Sequence, residues 1–321
     1  MQKKLYFSKD KAFRVLMVSD LQEIVDCDPR SIRCYAALVE RTRPDLIVWG
    51  GDNIDGRKMK TAAELRAYLD IFTAPAEQAG IPWMHIYGNH DYDMDISPAE
   101  QSAIYAGYAH CISGISPEGV PGVSNYAVPV FDPETEKPAF VFYAMDTGYK
   151  FVPVRADVPF EEMLLENNEY PCKKWDFIRF EQLLWYWNTS KALEAEAGGL
   201  VPAMAFMHVP PYELARVEHN PEATGMLGSV EQKLQSSVLN SGVFSAMLER
   251  GDVRCIAAGH LHKDTVEGVY AGIRLCLDGC GGFLCGGNDS LRGGRVFDIS
   301  SDGKIRTEMI SYASFTDVSK A

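Results

Sequence analysis

Apolar runs at residues 13–19, 45–50 and 81–87 are separated by two amphipathic stretches, and this alternation constrains the fold more than any other feature of the chain. Runs with so few polar breaks belong to strands covered on both faces. Between the first two, Ile32, Tyr35, Ala36, Leu38 and Val39 recur at helical spacing, which predicts a helix over 31–43 ended by Pro44. A second helix is predicted over 61–78, with Gly80 as its stop. The order β-α-β-α-β requires a parallel sheet with helices laid on it, so the fold class is α/β. Further strands are predicted at 139–145, 202–207, 253–257 and 268–277, and further helices at 175–191 and 241–250. Two stretches, about 92–128 and 148–174, are rich in Pro and Gly and weakly periodic. They read as long loop insertions in one domain spanning 1–321.

Composition narrows the function. Lys+Arg 31 against Asp+Glu 44 leaves a net charge of −13, which disfavours a broad surface for long nucleic acid. There is no apolar stretch of membrane-spanning length and no signal-peptide pattern at the start, so a cytoplasmic, membrane-free protein is expected. The eight cysteines are sparse and none forms CxxC. Cys276, Cys280 and Cys285 match no common zinc spacing, and reduced thiols packed as small apolar residues are expected.

Polar clusters follow the predicted strands: Ser19-Asp20-Leu21-Gln22, Gly50-Gly51-Asp52-Asn53, Gly88-Asn89-His90-Asp91, His208-Val209-Pro210 and Gly259-His260-Leu261-His262. Ligand sites in open α/β sheets lie at the carboxyl ends of strands, so these five clusters are expected to converge. Each carries a carboxylate, an amide oxygen or an imidazole, the groups that bind hard or borderline metal ions. Tyr92, Tyr105, Tyr108, Tyr149, Phe151, Arg155 and Tyr212 either grip a leaving group or pack the insertions, and packing is the expected role. No GxGxxG or GxxxxGK[ST] loop is present, which removes a flavodoxin-like or nucleotide-loop reading.

Taken in order from Asp20 to His262, these blocks resemble the set that defines the calcineurin-like metallophosphoesterase superfamily. Pro44-Asp45-Leu46-Ile47-Val48 leading into Gly51-Asp52-Asn53-Ile54, and His208-Val209-Pro210-Pro211-Tyr212-Glu213, are most similar to small single-domain proteins related to purple acid phosphatases. The resemblance implies a layered fold, with central, mostly parallel sheets flanked by helices, and a dinuclear metal site. Asp20, Gln22, Asp52 and His262 would hold the first ion. Asp52 would bridge to a second ion completed by Asn89, His208 and His260. His90 would stay off the metals as the catalytic imidazole, with Asp91 either keeping it protonated or serving as a cap.

Two positions depart from that pattern. Gln22 replaces a histidine, which weakens the first site and tilts a divalent or mixed-valence pair toward Mn or Fe, with Zn possible. Asp55 stands where purple acid phosphatases carry an iron-binding tyrosine, so no purple colour is expected. The implied activity is hydrolysis of a small phosphorylated substrate or a phosphoprotein. The alternative is a binding or scaffold protein that keeps the fold and has lost turnover.

Overall fold

A computed structural model describes residues 4–152 and 175–318. Its first half carries β1 (Leu5–Tyr6), β2 (Ala12–Val18), α1 (Pro29–Thr42), β3 (Leu46–Trp49), α2 (Ala62–Phe72), α3 (Ala74–Ala79), β4 (Trp83–His85), α4 (Pro98–Tyr105), β5 (Tyr126–Phe131) and β6 (Pro138–Met145). The second half carries α5 (Phe180–Ala197), β7 (Ala203–Met207), α6 (Leu214–His219), α7 (Pro221–Thr224), α8 (Val243–Arg250), β8 (Val253–Ala258), β9 (Glu267–Tyr270), β10 (Ile273–Leu277), β11 (Gly293–Ser300) and β12 (Ile305–Ser311).

The strands form two sheets, in the orders β1-β5-β6-β7-β8-β10-β9 and β12-β11-β2-β3-β4. Side chains alternate across a strand, and the core shows it. Phe13, Val15 and Met17 of β2 meet Met204 and Phe206 of β7 between the sheets. Leu16 and Val18 of β2 turn the other way, onto Tyr35 and Leu38 of α1 and Leu69 and Phe72 of α2. Ala205 and Met207 of β7 likewise turn outward, toward Tyr186 of α5 and Met247 of α8. The result is a helix–sheet–sheet–helix sandwich, an α/β fold of the expected class.

Several elements differ from the sequence expectation. The helix over 61–78 is two helices: Thr73 caps α2, and Pro75 opens α3 where its missing N–H costs nothing. The strand over 268–277 is the hairpin β9–β10, turned at Ala271 (φ 47) and Gly272 (φ 84). The helix over 175–191 starts only at Phe180, while Trp175 makes an antiparallel bridge to Lys150. The first insertion is not irregular throughout, because it holds α4 and the start of β5. Most of the second insertion, with Arg155 and Cys172, lies outside the described residues. No helix among the described residues is long and apolar enough to cross a membrane.

Strands β11 and β12 had no clear signature. In β11 the period is masked by Gly293-Gly294 and by Arg295, which is buried. Its guanidinium gives Nη1 to Glu267 Oε2 at 2.6 Å and Nη2 to the carbonyls of Thr265 (2.7 Å) and Leu277 (3.0 Å). Removing Arg295 leaves Glu267 with only Arg274 Nη1, at 3.4 Å, and takes a donor from the carbonyls of Thr265 and Leu277. Arg295→Met is therefore expected to destabilise the fold by about 3–5 kcal/mol, read as a drop in urea midpoint. Adding Glu267→Leu should restore most of that loss.

A pH effect follows from β4. His85 is buried, its ring 3.7 Å from that of Tyr105 and its Nδ1 2.7 Å from Ser113 Oγ. Burial pushes its pKa from 6.5 down to about 3. The unfolded chain binds this proton at higher pH than the folded one does. The contribution of His85 to stability is thus complete above pH 6.5 and is lost as pH falls toward 3. His85→Phe should flatten the acid dependence of the urea midpoint across that window.

Candidate metal centre

The clusters after β2, β3 and β4 come from the five-stranded sheet, and those after β7 and β8 from the seven-stranded sheet. The site therefore straddles the carboxyl edges of two sheets. Beyond the strand ends, the ladder between β2 and β3 continues: Asp20 N–H donates to Gly51 O and Gln22 N–H to Asp52 O, both at 3.0 Å. Asp20 (φ 52), Gln22 (φ 42), Asp52 (φ 50) and His260 (φ 70) are all in the left-handed region. Such backbone costs about 1–3 kcal/mol per residue and clusters at functional sites. The space is also set by absent side chains. A Cβ at Gly88 would stand 2.3 Å from Asp52 Oδ1, and one at Gly259 would stand 2.6 Å from Asp20 Oδ2.

Two groups of ligand atoms result, Asp52 with His208 and His260, and Asp20 with Asp52 and His262. Within each, the atoms lie within 4.8 Å of one another. Asp52 belongs to both. Its Oδ1 accepts the N–H of His90 (2.6 Å), and its Oδ2 accepts Gln22 Nε2 (2.8 Å) and lies 3.4 Å from His208 Nε2. Asp20 Oδ2 accepts Ser19 Oγ–H and the N–H of His260, at 2.7 and 2.9 Å. Its Oδ1 faces His262 Nε2 at 3.1 Å and His208 Nε2 at 3.9 Å. His208 and His262 give their Nδ1 protons to the carbonyls of Gly50 (3.0 Å) and Gly286 (2.7 Å), which leaves Nε2 of each for the site. The ring of His260 meets that of Trp175 edge-on at 4.9 Å.

These residues fit cations. Asp20 Oδ1, Asn89 Oδ1 and His208 Nε2 are buried and lack a hydrogen-bond partner. Burial opposes ionisation of Asp20 and Asp52, yet the facing imidazoles hold both carboxyls below the usual range. Burial likewise opposes charge on His208 and His262, but the carboxylates lift these imidazoles to about 9 and about 10. Burial, with His208 beside it, drives His260 down to about 3. A pocket that recruits protons against its own burial is built to hold positive charge.

Asp20, Gln22, Asp52, His208, His260 and His262 lie in one cluster of short contacts, and Asn89 and His90 follow on the loop after β4. Gln22 turns its amide nitrogen toward Asp52 and, at 3.1 Å, toward His262 Nε2. A half-turn of that amide would present its oxygen, the atom able to ligate. Asp91 does not pair with the His90 ring. It is wholly buried and accepts the N–H groups of Gly88 (2.7 Å), Asn53 (3.1 Å) and Ile54 (3.3 Å), clamping two loops together. The ring of His90 pairs instead with Asp93, Nδ1 to Oδ2 at 2.8 Å. Asp55 is held by Arg57 (2.7 Å) and Lys58 (3.0 Å).

Sequence reasoning missed Asp93, the supporting carbonyls of Gly50 and Gly286, and Arg292. The buried Arg292 lies between Cys280 Sγ (3.1 Å) and Cys285 Sγ (3.5 Å), so a guanidinium sits where a soft-metal reading would need an ion. Tyr105 is buried and Tyr108 donates to Asp70 of α2 at 2.7 Å, both packing roles.

Comparison with known proteins agrees with this architecture. The chain is 27% identical over 314 residues to probable inactive purple acid phosphatase 14 of Arabidopsis thaliana, covering 88% of this chain and 73% of that protein. It is 25% identical over 248 residues to phosphatase DCR2 of Saccharomyces cerevisiae, covering 75% and 39%. Among solved structures, a dimetal phosphatase from Danio rerio superposes with a TM-score of 0.58 at 15% identity, covering 89% of this chain and 92% of that one. GAP50, the anchor in the inner membrane complex of Plasmodium, gives 0.57 at 14% identity, covering 94% and 85%. At these identities the two structures share the fold. The family model for calcineurin-like phosphoesterases matches residues 13–264, a span that takes in all five strand-end clusters, and the chain belongs to that family.

Proposed function

We propose that the chain is a metal-dependent phosphoester hydrolase working at the strand-end cluster. Family and fold imply a dinuclear divalent metal site. The observation that carries the reading is that Asp20 and His208, which belong to the two groups of ligand atoms, and Asn89 each keep a buried side-chain atom without a hydrogen-bond partner. Asp20, Gln22, Asp52 and His262 would hold one ion, and Asp52, Asn89, His208 and His260 the other. Oxygen donors with imidazoles suit Mn or Fe, and Zn second.

When bound, such a pair supplies Lewis-acid polarisation of phosphoryl oxygens and lowers the pKa of a coordinated water. Two divalent ions exceed the charge of Asp20 and Asp52 by about two units, which draws an anionic phosphoryl group into a protein of net charge −13. His90 contributes no ligand atom in this assignment. Its backbone is tied to Asp52, and its ring, paired through Nδ1 with Asp93, keeps Nε2 to protonate the departing ester oxygen. Small phosphoesters or a phosphoprotein are the proposed substrates. A second reading, a metal-binding scaffold without turnover, draws on the relatives named probable inactive.

Protein loaded with Mn and given chromogenic phosphomonoesters and phosphodiesters separates the two. Hydrolysis that tracks metal occupancy and stops with chelator supports the enzyme, whereas full occupancy without turnover supports the scaffold. His90→Ala should lower kcat by about 10²–10⁴-fold at unchanged metal content. Asp52→Asn should lose bound metal from both positions, measured by elemental analysis.

A further inference from the structure

We propose that Asp93 is the positioning residue of His90 and that Tyr149 holds Asp93 in that role. The inference rests on His90 being the proton donor proposed above. The main chain of His90 is fixed to the metal cluster through Asp52 Oδ1 at 2.6 Å, but that bond leaves the ring free to rotate. The ring is fixed by Asp93 Oδ2, 2.8 Å from Nδ1. An imidazole that gives its Nδ1 proton to a carboxylate presents Nε2 on its opposite edge. His90 caps the 3-10 turn Asp91–Asp93 and lies three residues before Asp93, the spacing at which that geometry stacks side chains.

Asp93 is itself held on every side. Its Oδ1 accepts the hydroxyl of Tyr149, and its carbonyl accepts Lys60 Nζ at 2.6 Å. Tyr149 stacks on Tyr92, with rings 6.0 Å apart and 16° from parallel. The Tyr92 hydroxyl donates to Asp146 Oδ2 at 2.7 Å, and the same oxygen gathers the N–H groups of Val123 (2.7 Å) and Ser124 (3.1 Å). Lys150 Nζ reaches the Tyr149 hydroxyl. Arg57, the arginine that feels the charge of Asp93, is paired with Asp55 at 2.7 Å. The side chains of His90 and Asp93 are 19% and 18% exposed, enough for an ester oxygen to meet the ring. In the step this serves, a water gives one proton to solvent as its oxygen bonds to phosphorus, the ester P–O bond breaks, and the ester oxygen leaves with the electron pair and takes the proton from His90 Nε2, which solvent then reprotonates. Asp93 exchanges no proton. It keeps the ring aimed.

The test compares a nitrophenyl ester, whose leaving group needs no proton, with an alkyl ester, whose leaving group does. Both are assayed with the Mn-loaded protein, on the phosphate type that the wild type hydrolyses. Asp93→Ala is expected to lower kcat by about 10–100-fold, with KM and metal content little changed and a larger loss on the alkyl ester. Asp93→Asn, whose amide oxygen still accepts from Nδ1, should recover part of the rate. Tyr149→Phe should show the same bias at smaller size, and it decides the matter if Asp93→Ala fails to fold. Equal losses on both esters, or an unchanged kcat, while His90→Ala shows the bias, would overturn the role of Asp93 alone. Absence of the bias in His90→Ala would overturn the reading of His90 beneath it.

Discussion

Two buried carboxylates held side by side set the terms for everything around them. Asp20 and Asp52 sit on adjacent strand extensions whose backbones are hydrogen-bonded to each other, so the chain cannot separate them to relieve repulsion. At a burial of 0% and 1% exposed, water cannot screen them either. Positive charge is the remaining remedy. Three imidazoles and two side-chain amides are arranged around the pair, and two of the imidazoles are turned by backbone carbonyls so that a lone pair, or a proton, faces inward. On its electrostatics alone, before any family likeness is considered, the pocket is a candidate cation site.

Holding the carboxylates there strains the main chain. Four of the seven proposed ligands have positive φ and none of those four is glycine; Asp and His tolerate the region better than most side chains, and Gln22 least of the four. The neighbouring glycines relieve crowding and do not remove this strain. Sheets of well-packed apolar strands on both sides supply the rigidity that keeps the turns in place. The distribution matches a chain that concentrates its unfavourable backbone where ligand atoms must be aimed.

This is why the site was legible in the sequence and part of the fold was not. Strands buried on both faces write themselves as apolar runs, and polar residues at their ends have few other reasons to be there. That address marks Asp20, Asp52, His208 and the GHxH pair as candidates, and it is the resemblance to the family that assigns them as ligands. The choice between Asp91 and Asp93 could not be read there, because both are carboxylates in one short turn and only the backbone path decides which meets the ring. Strand β11 was hidden for a different reason. A buried arginine breaks its apolar period, and the glutamate that compensates it lies on β9, 28 residues away. Trp175 was drawn into a predicted helix by its apolar neighbours, whereas the bridge to Lys150 depends on a partner no local pattern shows.

A site on the edges of two sheets also needs the sheets pinned together at that edge, and one segment does this. After β10 the chain crosses to β2. Gly281 N–H donates to Ser19 O (2.8 Å) and Gly282 N–H to Asp20 O (3.3 Å), while buried Glu23 accepts the N–H groups of Phe283 (2.8 Å) and Leu284 (3.0 Å). Arg292 grips the same segment through the carbonyls of Gly282 and Cys285. One step further along, Gly286 supplies the carbonyl that turns His262. A single run of residues thus fixes the loop bearing Asp20, the relation of one sheet to the other and the orientation of a proposed ligand. The pocket shares its supports with the packing of the sandwich, so what loosens the junction between the sheets also misaligns the atoms that face the cations.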